Sequence, residues 1–374
     1  MKNSIYIIIV ALLFACNSEK KEHASEDKNI QTAIKYAKGF TIEKYANYKL
    51  ITLSNVWRGE SSTFKYVLYE HEKPDSVKDA IFIKTPISSI ACMSLTHIAF
   101  LEKLGLEKSI VALSGCAYVS SEKMNSLIAK KLIKEIGEEQ NMNYEILVEE
   151  NPNIVMSYGV DASSNTGINK LTNLGLNVVL NSEYMETTPL GKAEWIKFVA
   201  AFYNQDHKAD SLFTILEEDY LELKEATKAV TELPTVFTGM PWNGTWYIPG
   251  AKSFQAQLFR DAGAQYLWLD NEERSSVVKA KEVIIDEAFE ADFWLNQNSY
   301  KSMKEIIDFD EKFKGFTAVK NQHLYNNDRR TNAVSGNDYW ESGVVRPDIV
   351  LKDLIEIFHP ELLEHQLYYY RKLE

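Results

Sequence analysis

Residues 206–230, DHKADSLFTILEEDYLELKEATKAV, constrain this chain more than any other stretch. Leu212, Phe213, Leu216, Tyr220 and Leu223 recur at steps of three and four, which makes one apolar stripe along a single helix. Asp206 is placed to cap its start, and Thr231 to Pro234 ends the run. At 1.5 Å per residue such a helix is roughly 37 Å long, enough to cross a whole domain. On both sides of it the chain alternates short apolar strands with helices. The pattern predicts two α/β halves joined by one long rod, with the space between the halves as the ligand site. An ordinary long helix inside one α/β domain is the plainer reading of the same stripe.

A length of 374 residues fits two or three domains, and 45% hydrophobic residues suffice for real cores. The net charge of −12 argues against nucleic acid as a partner. After residue 16 there is no run of eighteen apolar residues, so no helix is expected to span a membrane. Sequence signatures of enzymes are missing: there is no GxSxG, GxxxxGK[ST], HExxH or CxxC. The seven histidines are scattered, so no His-rich loop suggests capture of a bare metal ion.

Residues 1–16 carry Lys2, an apolar run from Ile5 to Phe14, and then Leu13-Phe14-Ala15-Cys16. That is the layout of a secretory signal. The segment ending at Cys16 resembles the lipobox of bacterial lipoproteins, which implies acylation of Cys16 and a lipid anchor in the cell envelope, facing the periplasm or the surface. Residues 17–45 are read as a disordered tether, because Asn17–Asn29 is charged and has no large apolar residue.

Residues 46–187 read as an N-terminal α/β lobe. Strand-like runs fall at Tyr48–Leu53, Lys65–Tyr69, Ile81–Lys84, Ile90–Met93, Ile110–Leu113, Ile154–Tyr158 and Val178–Leu180, with a helix at Leu95–Leu104. The alternation predicts one doubly wound sheet, whose ligands sit past the carboxyl ends of the strands. Met93–Thr96, Ser114–Tyr118, Tyr158–Asp161 and Asn181–Tyr184 hold that position, and Tyr118, Tyr158 and Tyr184 are the candidate contacts there. Cys92 and Cys116 fall at the ends of neighbouring strands; they read as small buried residues in preference to a disulfide.

Residues 188–230 are read as linking helices and 231–374 as a C-terminal α/β lobe. Val236–Thr238 is a strand, and Gly239–Gly250 follows it with Trp242, Trp246 and Tyr247 set among Gly and Pro. These three aromatics form either a hairpin packed on its own lobe or a rigid wall of a ligand cleft. Arg329 and Arg330, in a loop region that also holds Tyr339, Trp340 and Glu341, offer a planar fork for anionic oxygens.

The segment Glu145-Ile146-Leu147 through Asn151-Pro152-Asn153-Ile154-Val155 resembles one found in periplasmic binding proteins for iron–siderophores, haem and cobalamin. The run from Asn326 through Gly336-Asn337-Asp338-Tyr339-Trp340-Glu341-Ser342-Gly343 to His359, and the run Ser182–Trp195, resemble a branch of these proteins found in Bacteroidetes lipoproteins. The resemblance extends from about residue 50 to the end of the chain. It implies a class III architecture, two Rossmann-like lobes joined by a single long rigid helix. It also implies a monomer without a cofactor, and an acid on each lobe that pairs with arginines of an ABC permease. Glu145 matches that acid on the first lobe. Glu282 is its counterpart on the second, with Asp286 and Glu287 as competitors, because Glu282 precedes Asp292 by ten residues where Glu145 precedes Asn153 by eight.

The expected function is therefore solute capture without catalysis. A lipid-anchored binding protein would hold an iron–siderophore, haem or cobalamin between its lobes and pass it to the permease. A membrane-tethered enzyme, or a surface scavenger without a permease, would use the same cleft. Replacing Cys16 by Ser is expected to leave the protein unacylated and in the aqueous phase of a detergent partition; a variant that still follows the membranes would place the anchor elsewhere.

Overall fold

Strands joined by a tight turn must run antiparallel, whereas parallel neighbours need a crossover of a dozen residues or more. That rule divides the first lobe in two. The computed structural model describes residues 30–57, 62–75, 77–138, 141–159 and 165–374. In it β1 (Ile30–Gln31), β2 (Phe40–Lys44), β3 (Tyr48–Ser54), β4 (Thr63–Tyr69) and β5 (Ile81–Lys84) make one sheet in that order, antiparallel except for β4 beside β5. The single doubly wound sheet read from the sequence is thus two sheets, since among the described residues no helix separates β2, β3 and β4.

The second sheet is wholly parallel. It contains β6 (Ile90–Cys92), β7 (Ile110–Leu113), β8 (Lys134–Glu135), β9 (Ile154–Ser157) and β10 (Val178–Leu180), in the order β10-β9-β6-β7-β8. Helices α1 (Leu95–Lys103), α2 (Glu122–Ala129), α3 (Tyr144–Glu150) and α4 (Asn165–Asn173) are its crossovers. The two sheets are tied where the Leu180 amide donates to the Tyr66 hydroxyl at 2.9 Å. Cys92 and Cys116 are both buried and free, with no disulfide between them.

The linking helices follow. α5 (Pro189–Ala201) is buried on nearly every face. α6 (Asp206–Ala226) is the long rod, ending in a 3-10 turn at Thr227–Ala229. Gln205, not Asp206, holds the cap position; Asp206 instead pairs with Lys49 at 2.6 Å and Lys44 at 3.4 Å. Of the expected stripe, Phe213, Leu216 and Tyr220 are buried and Leu212 and Leu223 partly so. One end of α6 reaches the first lobe, where Lys208 donates to the Leu104 carbonyl. Towards its other end Tyr220 donates to Asp261 of the second lobe at 2.8 Å.

The second lobe contains β11 (Thr235–Thr238), β12 (Thr245–Pro249), α7 (Phe254–Asp261), β13 (Gln265–Tyr266), β14 (Ser276–Ala280), α8 (Lys281–Glu287), β15 (Phe293–Leu295), α9 (Met303–Phe309), α10 (Thr317–Lys320), β16 (Leu324–Asn326), α11 (Asp338–Glu341), α12 (Pro347–Phe358) and β17 (Arg371–Lys372). Its sheet runs β13-β11-β15-β16-β17, with only β17 antiparallel, and β12 pairs with β14 as a separate ribbon. Phe237, Trp246, Trp294, Phe313 and Phe316 pack against one another as its aromatic core.

Residues 30–45, expected in the tether, are built into the fold. Two buried acids strap this segment to α5. Glu194 accepts the amides of Lys35, Tyr36 and Ala37 at 2.7–3.1 Å and pairs with Lys197 at 3.0 Å. Glu186 accepts those of Lys38 and Gly39, and the Trp195 indole N–H at 3.0 Å. Residues 17–29, like Cys16, lie outside the described residues. Glu194 is fully buried, so Glu194→Ala should leave three amides without their acceptor and remove the nearest carboxylate from the Lys197 ammonium, which keeps the Ala33 carbonyl and Asp210. The expected loss is about 3–5 kcal/mol in urea unfolding; a change below about 1 kcal/mol would show that the strap is held by something else.

Candidate functional site

In open α/β sheets a ligand crevice opens outside the strand carboxyl ends, where the strand order reverses. The first lobe reverses between β6 and β9, the second between β11 and β15. Both reversal points lie on one interlobe cleft of two chambers. An apolar chamber of about 550 Å³ sits on the first, lined by Ser94, Thr96 and His97 after β6 and Tyr158 after β9. Leu258, Val344 and Pro347 close it from the second lobe. A more polar chamber of about 800 Å³ sits on the second point, lined by Thr238 at the end of β11, Gly239 just after it and Asn296 after β15. Tyr184, Phe254 and Trp340 line both chambers.

Local structure sets the chamber walls. Ser94 caps α1 by accepting the Thr96 amide at 3.3 Å. Gly239 has φ of +90°, a conformation that a side chain would strain, and its carbonyl accepts the Trp294 indole N–H at 2.8 Å. Tyr184 donates its hydroxyl to the carbonyls of Val56 and Gly159. Lys192 on α5 pairs with Glu183 at 3.2 Å and stands 4.5 Å from the Phe254 ring centre, so it joins both lobes at the chamber wall.

Of the residues expected at the cleft, Tyr158, Tyr184, Tyr247 and Trp340 line it. Trp246 does not. Successive side chains of a strand point to opposite faces, and β12 turns Tyr247 outward, half exposed, while Trp246 is fully buried in the aromatic core and donates to the Thr238 carbonyl at 3.0 Å. The stretch read as a loop contains that strand. Among the described residues Trp242 is the most exposed large apolar side chain, at 67%, and it lines neither chamber. Tyr118 is exposed on the loop after β7, also away from both chambers.

Arg329 and Arg330 are displaced as well. Arg330 pairs with Asp338 at 2.6 Å and stacks over Tyr368, lining a separate groove of about 660 Å³. Arg329 is exposed and lines neither chamber. The reason is the C-terminal segment. Fully buried Asp353 accepts the amides of Tyr368, Tyr369 and Tyr370 at 2.6–3.0 Å, and the segment so fixed draws the 329–330 loop against it through the bond from the Arg329 amide to the Tyr369 carbonyl. The cleft has other cations. Arg274, between Glu273 and Ser275 of the polar chamber, makes no ion pair among the described residues. Its only sequence signal was a basic residue in the acidic run Asp270–Arg274, which reads as a solvated turn.

Glu145 and Glu282 occupy equivalent places. Each is exposed at the second position of a seven-residue helix, α3 or α8, that precedes a strand of its lobe's parallel array. Of the competitors, Glu287 is engaged by Lys279 at 2.7 Å and the Trp268 indole at 2.6 Å. Asp286 lies near the other end of α8.

Among the described residues no group of three or more His, Cys, Asp or Glu side chains is placed to hold a metal, and no helix is long and apolar enough to cross a membrane.

The chain matches the periplasmic binding protein family over residues 90–331, and it belongs to that family. An uncharacterized lipoprotein of Methanocaldococcus jannaschii is 27% identical over 393 residues, spanning 95% of this chain and 91% of its own length. Among solved structures, a periplasmic heme-binding protein from Pseudomonas aeruginosa shares the fold with a TM-score of 0.59 at 12% identity, covering 77% of this chain and 98% of that one. An ABC-type Fe3+-hydroxamate transport protein from Saccharomonospora viridis shares it with a TM-score of 0.56 at 17% identity, covering 82% and 98%. The family is one of periplasmic binding proteins, and two of the curated relatives carry the name lipoprotein.

His97 borders the apolar chamber, fully buried, with no partner for its Nδ1 among the described residues. Burial pushes the imidazole down to about 4, against the opposing pull of the Glu183 charge and the Met156 carbonyl. The unfolded chain takes up this proton as pH falls through 6.5, but the folded chain resists until about 4. The contribution to stability is therefore present above 6.5 and lost as pH falls towards 4, up to about 3 kcal/mol. His97→Gln should flatten that part of the urea midpoint profile between pH 7 and 4.5; an unchanged slope would locate the acid sensitivity in other groups.

Proposed function

We propose that this protein is a lipid-anchored solute-binding protein that holds an iron–siderophore, haem or cobalamin in the interlobe cleft and delivers it to an ABC import permease. The observation that carries the reading is the pairing of two chambers, one on each lobe's reversal point, with Tyr184, Phe254 and Trp340 shared between them. Large chelates present apolar faces and anionic oxygens, and this cleft offers an apolar chamber beside a polar one that contains Arg274. Tyr158, Tyr184, Tyr247 and Trp340 are the aromatic contacts in this reading, and Arg274 replaces Arg329 and Arg330 as the cation. Glu145 and Glu282 are the acids that meet the permease. Binding requires no catalytic residue, and the family supports capture over chemistry.

The absorption spectrum of protein purified from native growth medium tests the ligand class, because ferric siderophores, haem and corrinoids absorb differently. Titration by tryptophan fluorescence then tests the site with a ferric catecholate, hemin and cyanocobalamin as probes. A charge-assisted hydrogen bond is worth roughly 1.5–3 kcal/mol, so Arg274→Ala should weaken an anionic ferric chelate by about ten- to a hundredfold. Arg329→Ala should leave it unchanged, and cyanocobalamin should respond to Trp340→Ala more than to Arg274→Ala. Wild-type affinity for all three probes in both the Arg274 and Trp340 variants would remove the cleft from consideration.

A further inference from the structure

The lobes touch beside the cleft as well as through α6. The 332–341 segment of the second lobe lies on the 114–121 loop of the first. Asn332 donates its amide to the carbonyls of Ala117 and Val119 at 2.9 and 3.1 Å. Gly336 approaches so closely that a Cβ there would stand 2.0 Å from the Tyr118 carbonyl oxygen. At the end of this contact Glu341, 2% exposed, accepts the Ser120 amide at 2.7 Å and the Ser121 amide at 3.0 Å. Ser121 is the N-cap of α2, so a carboxyl from one lobe covers the start of a helix of the other.

Glu341 belongs to the four-residue helix α11, whose Tyr339 and Trp340 line the cleft. We propose that the Glu341 carboxyl is an interlobe latch, which by gripping Ser120 and Ser121 positions the Trp340 wall of the cleft. The proposal concerns the cleft's shape and holds whatever ligand the cleft takes.

The surroundings make the latch uneasy when it is charged. Glu102 on α1 accepts the Ser121 hydroxyl at 3.0 Å, and Asp338 lies one turn back on α11. Nearby cations have other partners: Arg330 pairs with Asp338, and Lys123 pairs with Glu107 at 2.7 Å. Lys103 and Glu122 border the same groove from the first lobe, and Arg346 and Asp348 border it from the start of α12. Glu341 makes no ion pair among the described residues. Burial pushes its carboxyl up to about 7; the two amides oppose that rise, and Asp338 and Glu102 add to it. An acid whose value is higher in the docked state binds its proton more tightly there than in the open state. Docking is thus favoured by protonation. The latch is tightest in acid and loosens as pH rises through about 7.

Amide hydrogen exchange of the full-length protein, corrected for intrinsic rates, reads the latch at Ser120–Ser121 without any ligand. In the wild type the exchange of these amides should rise about tenfold or more between pH 5 and pH 8. Glu341→Gln keeps one of the two acceptor oxygens and cannot ionise, so its profile should be flat, with one of the two amides still protected at pH 8. Glu341→Ala should exchange fast at every pH and alter the emission of Trp340, isolated by subtracting Trp340→Phe. Exchange of β9 serves as the folding control, and if Glu341→Ala fails it, Glu341→Gln decides alone. A flat wild-type profile, or the same rise in Glu341→Gln, would overturn the proposal, as would unaltered Trp340 emission in a folded Glu341→Ala.

Discussion

Everything between the lobes depends on what α6 buries. Its face of Ala209, Phe213, Leu216 and Tyr220 is sealed against the rest of the molecule, and Tyr220 adds a hydrogen bond to Asp261 of the second lobe. A helix packed along several turns and bonded at both ends does not act as a free hinge. The lobes therefore hold a set distance, and the cleft between them is a property of the fold rather than of a ligand that closes it.

The two parallel arrays have different strand orders, yet each reverses once, and the cleft lies over both reversals. At such a point the chain leaves neighbouring strands in opposite directions, so no connection fills the space between them. The backbone alone makes the opening. Side chains then divide it: the first lobe and α12 supply an apolar chamber, whereas the 272–276 turn supplies a polar one.

Buried acids do much of the joining. Glu194, Glu186 and Asp353 each accept two or three backbone amides, and each ties a terminal segment to a helix. A carboxylate has several acceptor positions and can satisfy consecutive amides that belong to no helix or sheet. Glu341 does the same between lobes, but with acids beside it and no cation bonded to it among the described residues. This sets it apart as an element whose grip depends on its proton.

The sequence by itself determined the rod, the two α/β halves, four of the five strands of the first parallel array and β11 of the second, because periodicity and turn residues are local properties. It also pointed to Tyr158 and Tyr184, which follow predicted strand ends, and to Trp340 in the loop region of Arg329 and Arg330. Only the tertiary structure decided which neighbouring aromatic faced the cleft. Trp246 and Tyr247 are adjacent, and the pairing of β12 with β14 settled that one is core and the other surface. The choice of cation was likewise non-local: Arg330 is claimed by Asp338 and Tyr368, and Arg274 reaches the cleft through a turn far from either arginine in sequence. Residues 30–45 looked like tether because their anchors, Glu186 and Glu194, stand about 150 residues away. Burial and partnership depend on what the rest of the chain brings near, and that information is not local to any segment.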